Sequence, residues 1–337
     1  MYETPWKTKG VMLTAPLIRD VDTVCEFIDR YLAGKVDLIA LQIRYRYRFT
    51  SHPECMGQEP LSYEDVKKIV GVCKKAGIRL IPKVNLLGHQ SGIHNIPSDG
   101  ILHGGAGKVR TDYDGLLRAY PQFDETPDDE EVLYCRTLCP SHPDLPAVVF
   151  DLIDELMDVF EADGIHIGCD EAFNIGLCPR CREKDHAVLF ADWVNTVGEH
   201  VRSRGAEMMV WGDRLLDRDT TGYGEYEAAK NGTAPAIDLV DKRTVLCDWH
   251  YEDWKSFPSV DQFGEKGFPV LISPGWKVDN VKKFLDYARE HDHRNIRGIL
   301  ATTWCNSGEL ARYMMYGEKN RWPRVPAIAE MLRMLFE

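Results

Sequence analysis

A short apolar run rich in Val, Ile and Leu recurs eight times along this chain, in most cases followed by an amphipathic helical stretch. Continuous apolar runs of four to eight residues mark strands buried on both faces, as in parallel sheets. The runs are GVMLTA (10–15), DLIALQI (37–43), RLIPKVNL (79–86) and GIHIG (164–168), then EMMVWGD (207–213), TVLCDW (244–249), PVLISP (269–274) and IRGILATTW (296–304). Helical stretches between them include DVDTVCEFIDRYLAG, SYEDVKKIVGVCKKAG, LPAVVFDLIDELMDVFEADG and KDHAVLFADWVNTVGEHVRSRG, with VDNVKKFLDYAREHDH and PAIAEMLRMLF later. The connection after the fifth run is weaker and holds Gly and Asn. Eight strands alternating with helices over 337 residues is the arithmetic of an α/β fold of the (β/α)8 TIM-barrel type, here read as a single domain over 1–337. The alternative is a doubly wound open sheet. No G-x-G-x-x-G follows a strand and no G-x-x-x-x-G-K-[ST] occurs, so the usual nucleotide-binding signals are missing.

A barrel predicts that functional side chains gather at the C-terminal ends of its strands and in the loops beyond them. One such loop is long: residues 87–140, after strand 3, carry Gly, Asp, Pro and aromatics. Ordered loops of that length are usually lids or walls of a site.

Charge narrows the partners. Forty-one basic against 53 acidic side chains give a net charge of −12, which argues against nucleic acid or an anionic membrane as the main partner. The start, MYETPWKTKG, has no apolar run after its charges, and the longest apolar stretches are about six residues, too short to span a bilayer. The expected compartment is the cytoplasm. A homo-oligomer is compatible with the sequence.

The strand ends carry the chemistry. Strand 4 runs into His166-Ile167-Gly168-Cys169-Asp170-Glu171. Two adjacent carboxylates at a barrel mouth repel, and burial raises the pKa of at least one, which suits a proton donor beside an anionic stabiliser. A solvated acidic turn is the plainer reading in so acidic a chain, and position at a strand end favours chemistry. Strand 3 leads to His89, strand 5 to Trp211 and Asp213, strand 6 to Trp249 and Tyr251, strand 7 to Trp276 and strand 8 to Trp304. Four of the eight tryptophans thus fall at four successive strand mouths. Aromatic walls with a few polar groups are how proteins hold sugar rings, whose C–H faces are apolar and whose edges need hydrogen bonds.

These segments carry a family resemblance. GIHIGCDEAF resembles the H-x-G-x-D-E signature of glycoside hydrolase family 20, the β-N-acetylhexosaminidases. IPKVNLLGH resembles that family's strand 3 segment ending in Gly-His, and MMVWGD and ATTW resemble its strand 5 and strand 8 tryptophan segments. The matches come in the family's order over roughly 10–304, and the compact form looks most like the hexosaminidase D type branch. The resemblance implies a retaining exo-acting enzyme without a catalytic cofactor, acting on a small N-acetylhexosaminide, in which the substrate's own 2-acetamido oxygen attacks the anomeric carbon. By the same carry-over Asp170 orients the acetamide and Glu171 is the acid and base. Trp211, Trp249 and Trp304 then match the tryptophans around the acetamido methyl, and His89 and His166 the family's strand 3 and strand 4 histidines. Asp213 lies beside them after strand 5.

Several positions depart from the family pattern. The strand 1 segment reads Leu13-Thr14-Ala15-Pro16-Leu17 where an Asp and then an Arg are common, and the nearest arginine is Arg19. Lys83 and Asn85 stand where Glu and Asp are usual, and Asn306 stands where a Glu often follows Trp304. For the acetamide-binding tyrosine, Trp276 sits near the expected place and Tyr251 is another candidate. These departures keep open a non-catalytic amino-sugar-binding barrel. A metal-dependent barrel hydrolase is the other alternative, with His89, His166, Asp170 and Asp213 as ligands, although no H-x-H on strand 1 and no H-E-x-x-H supports it.

Ten cysteines in a chain this long do not read as a small disulfide framework. Cys178-Pro179-Arg180-Cys181 follows the D-E signature, and Cys135 and Cys139 precede the helix leading to strand 4. Both pairs fall in loops on the same face of a barrel. The preferred reading is free thiols or a transient disulfide. A structural zinc held by Cys135, Cys139, Cys178 and Cys181 is the alternative.

Overall fold

The computed structural model describes residues 2, 5–92, 112–113, 115–126, 135–291 and 293–337. Eight strands close into a barrel: β1 Thr8–Thr14, β2 Leu38–Gln42, β3 Arg79–Lys83, β4 Gly164–His166, β5 Glu207–Trp211, β6 Val245–His250, β7 Val270–Pro274 and β8 Ile296–Thr302. Each strand lies between its sequence neighbours, and β1 returns to β8. Every barrel pair is parallel; Gly10, for example, lies opposite both Leu38 and Leu300. The expected (β/α)8 architecture is therefore the observed one.

Strand parity sorts the core into two layers. Met12, Leu38, Ala40, Ile81, Met209, Val245, Leu271 and Leu300 fill the barrel interior, while their neighbours Val11, Leu13, Ile39, Leu41, Met208 and Val210 pack outward against the helices. Alternate residues of a strand face opposite sides. The same count puts Lys83, two after Ile81, and Trp211, two after Met209, on the inner face. It does likewise for Trp249, four after Val245, and for His166, next to the outward Ile165.

The outer layer contains α1 Val21–Phe27, α2 Tyr63–Lys75, α3 Leu145–Phe160 and α4 His186–Ser203. It continues with α5 Pro258–Glu265, α6 Val278–Glu290, α7 Ser307–Tyr316 and α8 Val325–Phe336. Local chemistry starts them where they start. Ser62 and Asp65 form a reciprocal capping box on α2, and the Asp185 carboxylate accepts from the amides of Ala187 and Val188. Between β5 and β6 there are only the four-residue helix Arg218–Thr221 and 3-10 turns at Asp213–Leu215 and Ala234–Asp238, in line with the weak pattern there. Helices α5 and α7 are not among the stretches read from the sequence. In the long segment after β3, Ser91–Gly92 pairs antiparallel with Asp112–Tyr113. The expected loop 87–140 is only partly covered, since 93–111, 114 and 127–134 lie outside the described residues. Among the described residues no helix is long and apolar enough to cross a membrane.

Candidate active site

Several strands end two or three residues before their apolar runs do, because the chain there leaves the ladder to build the barrel mouth. Arg44, His89, Cys169, Glu171 and Trp304 all adopt positive φ there, between 33° and 67°. Left-handed backbone at non-glycine residues costs energy and clusters at functional sites. Gly168 (φ 71°) makes the turn after β4: a Cβ on it would sit 1.4 Å from Asn85 Oδ1, the atom that accepts the Cys169 amide. Gly88 is equally constrained, since a Cβ would meet the Asp170 carbonyl at 2.1 Å.

This turn delivers Asp170 and Glu171 to one imidazole. His89 Nε2 lies 3.0 Å from Asp170 Oδ2 and 2.8 Å from Glu171 Oε2. Both carboxylates are buried, at 4% and 7% exposure, so neither is the solvated turn that composition alone allows. Burial pushes Asp170 up, but the His89 charge and hydrogen bond, with the nearby Lys83 charge, outweigh it and hold the group well below the usual range. Burial likewise opposes the protonated form of His89. The charges of Asp170, Cys135 and Glu171 reverse that and raise it well above an ordinary histidine. Asp170 Oδ1 is buried with no hydrogen-bond partner among the described residues.

Asp213 acts behind this pair. One of its oxygens accepts from the Glu171 amide (2.9 Å) and from Arg214 Nε (2.7 Å), and the other from Trp249 Nε1 (3.1 Å). Burial, offset by Arg214 and reinforced by the charge of Asp170, pushes Asp213 up to about 6. It therefore supports Glu171 and Trp249 from beneath.

The aromatic wall is assembled as strand parity requires. Trp211 lies against His166 (ring centroids 4.5 Å apart) and Trp304 (6.2 Å). Trp249 packs on Tyr251 (4.8 Å), Tyr251 on Trp276 (5.5 Å), and Trp304 Nε1 donates to Tyr251 Oη at 2.7 Å. Trp276 is packed in the outer core, with the Arg324 guanidinium 4.1 Å from its ring centre. His166 is fully buried. Its Nδ1 accepts from the Gly168 amide, and burial followed by the Lys83 charge holds it neutral.

Two alternatives left open by the sequence do not match the geometry. Cys135 does not join the other three cysteines. Its thiol points to the Glu171 carbonyl (3.5 Å), and Glu125 takes the fourth place beside Cys139, Cys178 and Cys181. Nor do His89, His166, Asp170 and Asp213 form a ligand set. Among the described residues the grouping at the mouth is His89, Cys135 and Glu171, and both Asp213 oxygens are already engaged.

The sequence reading missed three contributors. Tyr226 packs against the inner cluster, within range of the Glu171 charge. Glu227 accepts from the Tyr251 amide (2.8 Å) and from Trp254 Nε1 (2.6 Å), fixing the backbone that carries Tyr251. Arg44, after β2, sits close enough for its charge to depress Lys83, so the mouth has a cation although strand 1 supplies none. All three lie in irregular segments where no periodicity signals them. The opposite, N-terminal end of the barrel holds a wide crevice lined by charged groups that pair with one another, such as Arg79 with Asp163 and Glu207. Such an end serves stability rather than chemistry.

The model of the glycosyl hydrolase family 20 catalytic domain matches residues 43–333, and the chain belongs to that family. A β-hexosaminidase of Akkermansia muciniphila is 22% identical over 293 residues, covering 79% of this chain and 52% of its own length. A lacto-N-biosidase of Bifidobacterium bifidum is 23% identical over 228 residues, 63% of this chain and 18% of its own. The chain thus spans about half or less of these curated relatives. Among solved structures, a Flavobacterium johnsoniae chitobiase superposes with a TM-score of 0.64 at 20% identity, over 97% of this chain and 48% of that one.

Proposed function

We propose that this chain is a retaining exo-β-N-acetylhexosaminidase that removes terminal β-linked GlcNAc or GalNAc with the substrate's own acetamide as nucleophile. The observation that carries this reading is the buried Asp170–Glu171 pair bridged by His89 and linked through Asp213 to Trp249 of the aromatic wall. Family membership over residues 43–333 supports it.

In this reading the acetamide carbonyl oxygen attacks the anomeric carbon while Glu171 gives its proton to the departing glycosidic oxygen. Asp170, held ionised, accepts the acetamide N–H through its unpartnered Oδ1 and stabilises the oxazolinium that forms. Water then attacks the anomeric carbon as its bond to the acetamide oxygen breaks, and Glu171 takes the water's proton, which restores the acetamide and the protonated Glu171. His89 keeps the two carboxylates in register. Trp211, Trp249 and Trp304 enclose the acetamido methyl, and Tyr251 and Trp276 extend the wall towards the mouth. His166 stands behind Trp211 as a neutral support. Water excluded from such a wall strengthens every charge–dipole contact inside it.

Turnover of p-nitrophenyl β-GlcNAc and β-GalNAc, measured for wild type, Glu171→Gln and Asp170→Asn, tests the reading. Losses of about 10²-fold or more in kcat for both variants are expected. An inert wild type that still binds an N-acetylhexosamine thiazoline would overturn it in favour of a sugar-binding barrel.

A further inference from the structure

Three thiols converge on one buried point outside the catalytic pair. Cys139 Sγ lies 3.4 Å from Cys178 Sγ and 3.6 Å from Cys181 Sγ. With a carboxylate oxygen of Glu125, the four candidate ligand atoms fall within 4.8 Å of one another. All four residues are buried. A disulfide needs sulfurs about 2 Å apart and would consume two thiols, leaving the third beside it. Tetrahedral thiolates about 2.3 Å from a zinc ion stand about 3.8 Å apart, close to the observed spacing.

The surroundings are built for an ion. Glu125 Oε1 accepts from the amides of Gly176 (2.7 Å) and Leu177 (3.1 Å), which pins the carboxylate, while Oε2 is buried and, among the described residues, has only the neighbouring thiols beside it and no nitrogen or oxygen donor. An unpaired buried carboxylate oxygen is costly unless a cation or donor meets it. In the Cys178-Pro179-Arg180-Cys181 turn, the amides of Cys181 and Arg182 both donate to the Cys178 carbonyl (2.9 and 3.0 Å), and the Arg180 amide donates to the Cys178 sulfur.

We infer that Cys139, Cys178, Cys181 and Glu125 form a structural zinc site. Three sulfurs and one oxygen select a borderline-soft ion such as Zn²⁺ over Mg²⁺ or Ca²⁺. Four protein ligands leave no open position, so the ion is structural. Binding releases the thiol protons to solvent. It ties the segment holding Glu125 and Cys139 to the turn that follows Glu171. Cys139 and Phe123 are already joined by a 2.7 Å backbone bond, and Cys135, on the same segment, touches the Glu171 carbonyl. The ion therefore braces the wall behind the catalytic pair, and its presence is independent of which substrate that pair acts on.

The test is metal content of the full chain, purified without chelator and dialysed, measured by plasma mass spectrometry. About one zinc per chain is expected, released by an organomercurial and restored to the reduced apo chain with a rise in melting temperature. Cobalt in its place should give thiolate charge-transfer bands and the visible bands of a tetrahedral ion. Cys135→Ser should keep the zinc, whereas Glu125→Gln and Cys181→Ser should lose or weaken it. A reduced wild-type chain that neither carries nor takes up zinc or cobalt would overturn the site. Loss of zinc in Cys135→Ser with retention in Glu125→Gln would overturn the ligand set.

Discussion

Lys83 stands inside the barrel with no hydrogen-bond partner for its ammonium among the described residues, about equally far from two indole rings: 5.4 Å from Trp211 and 5.5 Å from Trp304. Cation–π contact at such distances offsets part of the desolvation cost, not all of it. Burial lowers its pKa to about 8, with the Asp170 charge opposing and Arg44 assisting. Below pH 8 both the folded and unfolded chains carry the proton, and folding buries a charge. As pH rises from 8 towards the ordinary 10.5, the folded state sheds that penalty first. Lys83→Met should therefore stabilise the chain at pH 7 by up to about 3 kcal/mol, and by much less at pH 10, as read from urea unfolding at the two values. The Lys83 charge also helps keep Asp170 ionised. Without it the acidic limb of the kcat/KM profile should move to higher pH. If Lys83→Met is no more stable at pH 7 and the limb stays put, the lysine is not held as a strained cation beside Asp170.

Helix α7 shows how one position can serve the element rather than the site. Asn306 replaces a glutamate common in the family, yet its Oδ1 accepts from the Glu309 amide at 2.9 Å and starts α7. Asn306→Ala should cost about 1 kcal/mol in denaturant unfolding while leaving kcat/KM unchanged, and Asn306→Asp should restore stability as an equally good cap. A large loss of kcat/KM in Asn306→Ala would instead make the residue a substrate contact. The turn after β4 makes the opposite case. Gly168→Ala drives a Cβ into Asn85 at a positive φ, so Asp170 and Glu171 should shift and activity should fall even in chains that remain folded by circular dichroism. At this scale much was legible in the sequence. Continuous apolar runs mark all eight strands, and the period of two carries Trp211, Trp249, His166 and Lys83 to the inner face. Helix α5 was not legible because eight residues beginning with Pro258 and including Gly264 hold too few apolar positions to show a period. Glu125, Tyr226 and Glu227 were not legible for a related reason. They sit in loops, and barrel closure rather than local pattern brings them to the site.

Across the whole molecule, the segment after β5, the end of β6 and the start of α5 meet in one buried network. His250 Nδ1 contacts Glu227 Oε2 at 2.8 Å, and its Nε2 contacts Ser259 Oγ at 2.9 Å and Asp248 Oδ1 at 3.1 Å. Tyr223 stacks on the ring at 3.9 Å. Burial alone would discharge this imidazole, but Asp248 and Glu227 outweigh it and raise it to about 9. A histidine raised on folding contributes its stability in full below its unfolded value, near 6.5, and loses it as pH climbs through 9. The contribution is on the order of 3 kcal/mol at most. Glu227 also holds the Tyr251 amide, so discharging His250 should loosen the aromatic wall before the barrel itself opens. Urea unfolding of wild type should therefore weaken between pH 6.5 and 9, and His250→Gln should be less stable at pH 6 with that slope largely removed. KM for an aryl N-acetylhexosaminide should rise over the same interval in wild type and already be raised in His250→Gln at pH 6. An unchanged stability slope in His250→Gln would mean that the network carries no proton linkage and that the imidazole is neutral throughout.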